Sequence, residues 1–368
     1  MEKVPKSGGS RYVEIADELC ADVRAGKYAV ARTFPSLTRI MRRFGVARAT
    51  AAKCVDELKR RGVVFAMPRS RLVVRKSNRT IGLIVPGVAV TDFFQPIMSE
   101  INRLAREEGW ALLFAEVFSL NREKRLQQVR DLAADFIKKR VAGVIYEPLA
   151  GPNGVDANRH ILAAFRRAKI PVVLIDCDIV AFPERSEYDV VGVNDVEAGA
   201  KIAAHLMSVG AKKIHFLICE LCPMTFVNRL SGAESQLELA GAKMPKGGNV
   251  LYAEADDLKA LKGYLRRQKS RPDAFICSND AIAAIFKQTL EKAGLRVPED
   301  VMLTGFADLP IAALMTPPLT TVRQDREQMA RTAFRRLMER IADPSLPPCD
   351  LFLPSSLVAR GSTARQVK

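Results

Sequence analysis

Residues 36–61 read SLTRIMRRFGVARATAAKCVDELKRR, and the architecture of the N-terminal part of the chain follows from this stretch. Apolar residues recur at helical spacing on both sides of the turn Phe44-Gly45-Val46, which predicts two helices joined by a tight turn. Ser36 follows a proline and can cap the first of these helices. Two helices joined in this way form a helix-turn-helix, whose second helix enters the major groove of DNA.

The sequence on both sides of this stretch completes a small domain. An amphipathic segment from Tyr12 to Ala25 places Ile15 and Leu19 on one face, which predicts a first helix. Residues 62–74 contain two apolar runs on either side of a turn with basic residues, which predicts two short strands with a basic tip. We therefore predict a winged helix-turn-helix over residues 1–75.

Positive charge is concentrated in the same region. Residues 1–80 hold 19 Lys/Arg and 7 Asp/Glu, a net of +12 out of the formal +16 of the whole chain. Such a surplus in one small domain is typical of a surface that binds phosphate groups, although a solvated face is the alternative for each arginine. The candidate DNA-contacting residues are Ser36, Arg39, Arg48, Thr50, Lys53, Arg69 and Arg71.

From Ile81 onward the pattern changes to short apolar runs separated by amphipathic stretches. Continuous apolar strands that alternate with helices predict parallel sheets covered on both faces, which bind ligands at the carboxyl ends of the strands. The sequence thus predicts an α/β domain over residues 81–368, after a polar linker at residues 76–80. The predicted strands are Ile81–Val85, Ala111–Phe114, Gly143–Tyr146, Val172–Asp176, Val190–Val193, Ile214–Ile218, Phe275–Ser278 and Val301–Phe306.

The N-terminal domain resembles the GntR-type winged-helix family. The residues that match fall in the family's order, in Tyr12-x-x-Ile15, Phe34-Pro35-Ser36, Phe44-Gly45-Val46-Ala47-Arg48-Ala49-Thr50 and Leu58-x-x-x-Gly62-Val63. The resemblance implies that Arg48 contacts a base edge or a phosphate at the start of the recognition helix, and that Thr50 anchors a phosphate. The chain departs from the family pattern at Thr38, at Ala47 and at the tip of the ribbon, residues 68–71.

The larger domain resembles the effector domain of LacI/GalR-type regulators and, more distantly, the periplasmic sugar-binding proteins. The resemblance covers Ile81–Thr363. It rests on stretches such as Ile81–Pro86, Ile170–Asp176, Pro272–Asp280, Gly305-Phe306 and Pro317–Val322. It implies two Rossmann-like lobes with a small ligand between them, one of about 81–192 and 323–350, the other of about 193–322 and 351–368. Crossover strands would lie near Val191–Asn194, Thr321–Gln324 and Leu351–Pro354.

The same resemblance supplies candidate ligand-binding residues. Arg229 would pair with ligand hydroxyls or a carboxylate, and Asn279 offers a donor and an acceptor to a polyol, unless it only caps a helix. Ala307 stands where the family has an aspartate, so either Asp308 substitutes for it or the ligand is not the family's usual sugar. Core packing is the alternative for Phe94. The candidates are Asp92, Phe93, Phe94, Tyr146, Asp176, Arg229, Asn279 and Asp308.

A DNA-reading domain joined to a ligand cleft predicts a transcriptional regulator, most simply a repressor controlled by a sugar or a similar small polar effector. The expected partners are a double-stranded DNA operator, the effector and a second copy of the chain, since such domains bind two-fold operators. An orphan regulator that has lost its effector is the alternative. A binding protein for transport is disfavoured by the basic domain and by an N-terminus without the apolar core of a signal peptide.

Other chemistry is sparse in the sequence. The seven cysteines are an odd number and are spread out, which predicts reduced thiols in a cytoplasmic protein. The single pair Cys219 and Cys222 lacks the second pair or nearby histidine of a zinc site. No apolar run approaches the roughly 18 residues of a membrane-spanning helix. The sequence also lacks a phosphate loop and a catalytic-triad order, so neither cofactor nor metal is expected, and no enzymatic activity.

Overall fold

The chain folds into two compact units, residues 1–78 and 79–368. The unit boundary lies close to the predicted linker at residues 76–80, but Thr80 already belongs to the first strand of the second unit. A computed structural model describes residues 11–24, 27–28, 34–61, 63–67, 71–74, 79–86, 92–114, 117, 121–151, 154–180, 183–219, 224–241 and 249–364.

The described residues of the first unit form a helical core and a two-stranded ribbon. Its elements are helices α1 (Arg11–Arg24), α2 (Leu37–Phe44) and α3 (Arg48–Arg60), then strands β1 (Val64–Met67) and β2 (Arg71–Val74). The two strands are antiparallel, with Met67 opposite Arg71. The predicted helix-turn-helix and ribbon are confirmed.

A glycine turn and one apolar cluster hold these helices together. Gly45 ends α2 in the left-handed region, with φ of 61°, and its N–H donates to the carbonyl of Met41. A residue with a side chain resists that conformation, so glycine lets the helix stop within one residue. Below the turn, buried apolar side chains from all three helices form the core, among them Ile15, Leu19, Ile40, Val55 and Leu58.

The second unit begins with a parallel sheet. Its first elements are β3 (Thr80–Ile84), α4 (Phe94–Glu107), β4 (Ala111–Phe114), α5 (Arg122–Lys139), β5 (Val144–Tyr146), α6 (Gly154–Arg167), β6 (Val172–Asp176) and β7 (Asp189–Val193). One face of this sheet packs on α5 and α6. The other face packs on α4 and on a helix near the end of the chain. Both faces are therefore apolar, as the continuous hydrophobic strands predict.

A second parallel sheet follows in the chain. The remaining elements are α7 (Asp195–Ser208), β8 (Ile214–Ile218), α8 (Met224–Leu239), β9 (Val250–Tyr252), α9 (Leu258–Arg267), β10 (Ala274–Ile276), α10 (Asp280–Lys292), β11 (Met302–Thr304), α11 (Pro310–Leu314), β12 (Thr321–Gln324), α12 (Arg326–Ala342), β13 (Asp350–Leu353) and β14 (Ser355–Val358). Over the described residues the strand order is β11-β10-β8-β9 in this sheet and β13-β7-β6-β5-β3-β4 in the first. Helices α7 and α8 cover one face of the second sheet, and α9 and α10 cover the other.

The chain passes between the two sheets at three places. It leaves the first sheet after β7, returns to it with α12 and β13, and leaves it again after β13, while β12 pairs antiparallel with β14. These segments lie where the sequence predicts crossover strands. The lobe boundaries differ by a few residues from those that the resemblance implies. Residues 351–353 belong to β13, which pairs with β7 of the first sheet and not with the second lobe.

Two glycines allow α7 and α8 to touch backbone to backbone. A Cβ on Gly199 would lie 1.9 Å from the carbonyl oxygen of Arg229, and a Cβ on Gly232 would lie 1.8 Å from that of Val196. Both distances are far below any real contact, so only glycine fits at either position. The crossing fixes the position of Arg229 relative to the start of α7.

Substitution of these glycines tests the crossing. Gly232→Ala should destabilise the second unit by about 1–3 kcal/mol or more, because the added methyl group must push two helices apart. Gly263→Ala in α9 is the matched control. Its nearest neighbour would be an Arg267 side-chain nitrogen at 3.6 Å, so the variant should gain about 0.5–1 kcal/mol from helix propensity. Chemical denaturation of both full-length variants measures the difference, and equal stabilities would contradict the packing argument.

Candidate nucleic-acid interface and effector cleft

Exposed cations lie on both helices of the helix-turn-helix. Arg39 on α2 is exposed, as are Arg48 and Lys53 on α3. None of the three forms an ion pair within the part of the chain that the structure describes. Because α3 begins at Arg48, that side chain lies at the end of the helix where backbone N–H groups and the helix dipole attract anions.

Other basic side chains of the same unit are neutralised by carboxylates. Arg43 binds Glu18 at 2.6 Å and Asp22 at 2.5 Å. Arg61 binds Asp17 at 2.5 Å and Glu57 at 2.7 Å. The acidic residues thus neutralise Arg43 and Arg61, whereas the exposed cations on α2 and α3 form no ion pair within the described residues.

The remaining candidate DNA contacts are Ser36, Thr50, Arg69 and Arg71. The side chain of Ser36 caps α2 by accepting a hydrogen bond from the N–H of Arg39 at 3.4 Å. Thr50 is half-buried on α3. Arg69 and the side chain of Arg71 lie outside the described residues. No side chain caps the first turn of α3, where Ala47 occupies the cap position.

In the second unit, the candidate ligand residues follow the carboxyl ends of parallel strands. Asp92 and its neighbours follow β3, Asp176 ends β6, Asn279 follows β10, and Asp308 follows β11. Loops at this edge converge on the ligand in open parallel sheets. The topology therefore brings these positions to the facing rims of the two sheets, which we call the cleft.

Arg229 is held by a buried ion pair. Its Nε donates to Asp195 Oδ1 at 2.7 Å and its Nη1 donates to the carbonyl of Ser278 at 2.9 Å. The guanidinium carbon lies 4.4 Å from the ring centre of Phe306, and the side chains of Arg229 and Asp195 are only 6% and 5% exposed. The sequence singled out Arg229 but missed Asp195, whose only signal was its place as the first residue after a strand and a helix cap.

Asp176, the last residue of β6 in the first sheet, lies within electrostatic range of this pair. Its backbone is left-handed, with φ of 75°, an uncommon conformation that tends to mark functional positions. Burial raises the pKa of Asp176, and the attraction of Arg229 opposes that rise. Burial also raises the pKa of Asp195 to about 7, helped by the nearby Asp176 carboxylate and opposed by Arg229. Asp195 is therefore bound to the guanidinium of Arg229, and Asp176 is near enough to be attracted by it.

Asn279 caps a helix, which is the alternative that the sequence leaves open for this residue. Its Oδ1 accepts from the N–H of Ile282 at 2.9 Å, which caps α10 and leaves the amide nitrogen as the group it could offer a ligand. Beside it, fully buried Asp280 accepts from Thr321 Oγ1 at 2.6 Å and from the N–H of Leu309 at 2.7 Å. Asp280 thus ties α10 to β12 and to the loop after β11.

Three aromatic candidates lie in apolar packing. Tyr146 is 0% exposed, packs with α5 and α6, and donates its hydroxyl to Asn158 at 2.5 Å. The expectation that Tyr146 faces the ligand is wrong, because strand residues alternate and Tyr146 shares its face with Val144. Phe93 and Phe94 are buried against each other, with ring centres 4.9 Å apart, so the core alternative for Phe94 holds.

Replacement of Asp195 should alter how stability depends on pH. The folded protein keeps the Asp195 proton up to about pH 7, whereas the unfolded chain releases it near the ordinary value of 3.8. The stabilisation that comes from this raised pKa is fully present below pH 3.8 and is lost as the pH rises to about 7. The free energy of unfolding of the wild type should therefore fall relative to that of Asp195→Asn across this pH range. Thermal unfolding of both proteins in a pH series measures the gap. A gap that instead moves in favour of wild type as the pH rises would mean that Arg229 dominates.

Within the described part of the chain, no three His, Cys, Asp or Glu side chains are grouped to hold a metal ion. Among the described helices, none is long and apolar enough to cross a membrane.

Each of the two units matches a known protein family. A family model described as "Bacterial regulatory proteins, gntR family" matches residues 11–74, and one described as "Periplasmic binding protein-like domain" matches residues 203–363. The arabinose metabolism transcriptional repressor of Geobacillus stearothermophilus is 25% identical over 372 residues, which cover 96% of this chain and 97% of that protein. The transcriptional repressor PurR of Vibrio atlanticus (strain LGP32) is 29% identical over 304 residues, covering 81% and 85%.

A solved structure agrees with the fold. The transcriptional regulator CelR in complex with cellobiose matches with a TM-score of 0.66 at 22% identity, covering 89% of this chain and 100% of that one. The predicted fusion is confirmed. This chain joins a GntR-type helix-turn-helix domain to a periplasmic-binding-protein-like domain, and its relatives of similar length are transcriptional repressors.

Proposed function

We propose that this protein is a transcriptional repressor that binds a two-fold operator and responds to a small, sugar-like effector. The observation that carries the proposal is the sorting of charge in the first unit. Arg39, Arg48 and Lys53 are exposed on the helix-turn-helix without ion pairs among the described residues, while Arg43 and Arg61 are neutralised. Exposed, unneutralised cations on a recognition helix suit the phosphates and guanines of DNA.

The effector proposal rests on the cleft of the second unit. Asp176, Asn279 and exposed Asp92 offer a carboxylate or an amide at the converging strand ends, which suits a hydroxylated ligand. The names of similar proteins point the same way, since one is a repressor of arabinose metabolism and another was solved with cellobiose. A regulator of this kind works beside its DNA, so we expect it in the bacterial cytoplasm, without a membrane partner.

Arg48→Ala tests the DNA contact. A base contact at the start of the recognition helix should cost roughly 1–3 kcal/mol on the preferred duplex and much less on random DNA. Arg60→Ala is the matched control on the same helix, because Arg60 is exposed but paired with Glu57 at 2.5 Å. Fluorescence anisotropy with a duplex selected from a random pool by the wild type measures both losses. Equal loss on selected and random DNA would make Arg48 a phosphate contact instead.

Assembly offers a second test. Two-fold operators require two reading domains, so we propose a homodimer joined mainly through residues 81–368. Sedimentation of the full chain at micromolar concentration should give twice the mass of one chain, and two chains for each operator duplex when DNA is added. A species of one chain that occupies only half an operator would overturn the dimer, and with it any effector control through dimer geometry.

A further inference from the structure

The second sheet has an open edge at β9. Within the described residues, β9 is the last strand of that sheet and pairs only with β8. The N–H of Phe216 in β8 donates to the carbonyl of Asn249 at 2.8 Å. Alternate residues of a parallel strand bond to the same neighbour, so the peptide groups of Val250 and Tyr252 point away from β8. Natural sheets protect such edges with charged residues, and β9, which reads Val-Leu-Tyr, carries none.

A groove of about 510 Å³ lies between this edge and α9. Its wall on the helix side is one stripe of α9, formed by Lys259, Ala260, Gly263, Tyr264, Arg266 and Arg267. A Cβ on Gly263 would have one neighbour within 4 Å outside the helix backbone, the Nη1 atom of Arg267 at 3.6 Å, so small residues leave the floor open. Helix α9 has 10 residues and is therefore about 15 Å long, which matches about four or five residues of extended chain.

The helix side of the groove is positively charged. Lys259, Arg266 and Arg267 are exposed, and none of them forms an ion pair with another described residue. The carboxylate that lines the groove belongs to Asp257, whose Oδ1 already accepts a hydrogen bond from the N–H of Ala260 at 2.8 Å and caps α9. Three cations against one engaged carboxylate favour an acidic occupant.

The two faces of β9 have different surroundings. Leu251 is buried in the apolar cluster that includes Leu261 and Tyr264 of α9, whereas Tyr252 points to the opposite face and is 72% exposed. Because side chains alternate along a strand, a strand added to β9 would place every second side chain against the cations of α9 and the others beside Tyr252. The edge therefore selects a segment in which acidic and apolar residues alternate.

A second copy of the chain fits this edge poorly, because pairing two β9 strands would bring two basic grooves together. The groove also lies apart from the effector cleft. Arg266 and Arg267 are at the end of α9 that leads to the start of β10, so they lie toward the amino ends of the strands. The cleft lies at the carboxyl ends.

We propose that the groove between β9 and α9 binds an extended acidic segment of a partner protein, which adds to β9 as a further strand of the second sheet. In this mode of recognition, main-chain hydrogen bonds give affinity and alternate side chains give specificity. The inference goes beyond the proposed function, since it gives the regulator a protein partner at a surface that neither DNA nor effector uses.

Model peptides test this proposal on the full-length protein. The probe is a fluorescein-labelled octapeptide of alternating Glu and Val, and fluorescence anisotropy measures its binding. One comparison peptide replaces Glu by Lys, and another keeps Glu and Val but carries N-methyl groups on alternate amides, which cannot donate to β9. The unmodified Glu-Val peptide should bind at least about tenfold tighter than either, because each of the others loses charge attraction or several hydrogen bonds.

Variants then assign the binding to the groove. The double variant Arg266→Glu and Arg267→Glu should weaken binding of the Glu-Val peptide by about tenfold or more. Its control is the double variant Lys138→Glu and Arg167→Glu, which makes the same change of charge at exposed positions on α5 and α6 and should bind as wild type does. Tyr252→Pro removes an outward N–H without removing a bond to β8, and it should also weaken binding. Circular dichroism checks that each variant is folded, and if Tyr252→Pro is not, the N-methylated peptide decides the role of the main chain.

Three results would overturn the proposal. They are no binding of the Glu-Val peptide by wild type, equal binding of its N-methylated form, and an equal effect of the two double variants. If the double variant at Arg266 and Arg267 instead halves the sedimenting mass, the groove belongs to the contact between two copies of the chain. Operator and effector binding are measured separately and stand or fall on their own tests.

Discussion

The backbone contact between α7 and α8 is the constraint on which the cleft depends. Because Gly199 and Gly232 carry no side chains, the two helices touch closely enough for Arg229 to reach Asp195 at 2.7 Å. That contact holds the guanidinium of Arg229 beside the start of α7.

Both units use carboxylates to decide which arginines remain available. In the first unit, Arg43 and Arg61 are engaged by acidic neighbours, and Arg48 is left exposed on the recognition helix. In the second unit, Arg229, Arg323 and Arg360 are all engaged, at distances of 2.6 to 2.7 Å. A basic composition alone predicts neither pattern, since the function of each cation depends on whether an acid lies beside it in three dimensions.

Periodicity was enough to predict most of the fold, and it failed where tertiary contacts decide. The helix-turn-helix, the ribbon and the long apolar strands follow from spacing and from Gly45, whereas β9 and β14 were not predicted. Tyr146 was misplaced because a strand end has two faces, and the sequence does not say which one meets the cleft. Asp195 was missed because its role exists only through Arg229, 34 residues further along the chain.

The same contacts indicate how a ligand could change the second unit. Asp176 ends a strand of the first sheet and Arg229 lies on a helix that covers the second, so their attraction acts between the two halves of the cleft. A ligand that donates to Asp176 competes with this attraction and replaces it by its own bonds. A ligand shifts an equilibrium only by its differential affinity for the two states. In the proposed regulator, the balance among Asp176, Asp195 and Arg229 is where an effector would act on the two sheets, between which the chain passes after β7, before α12 and after β13.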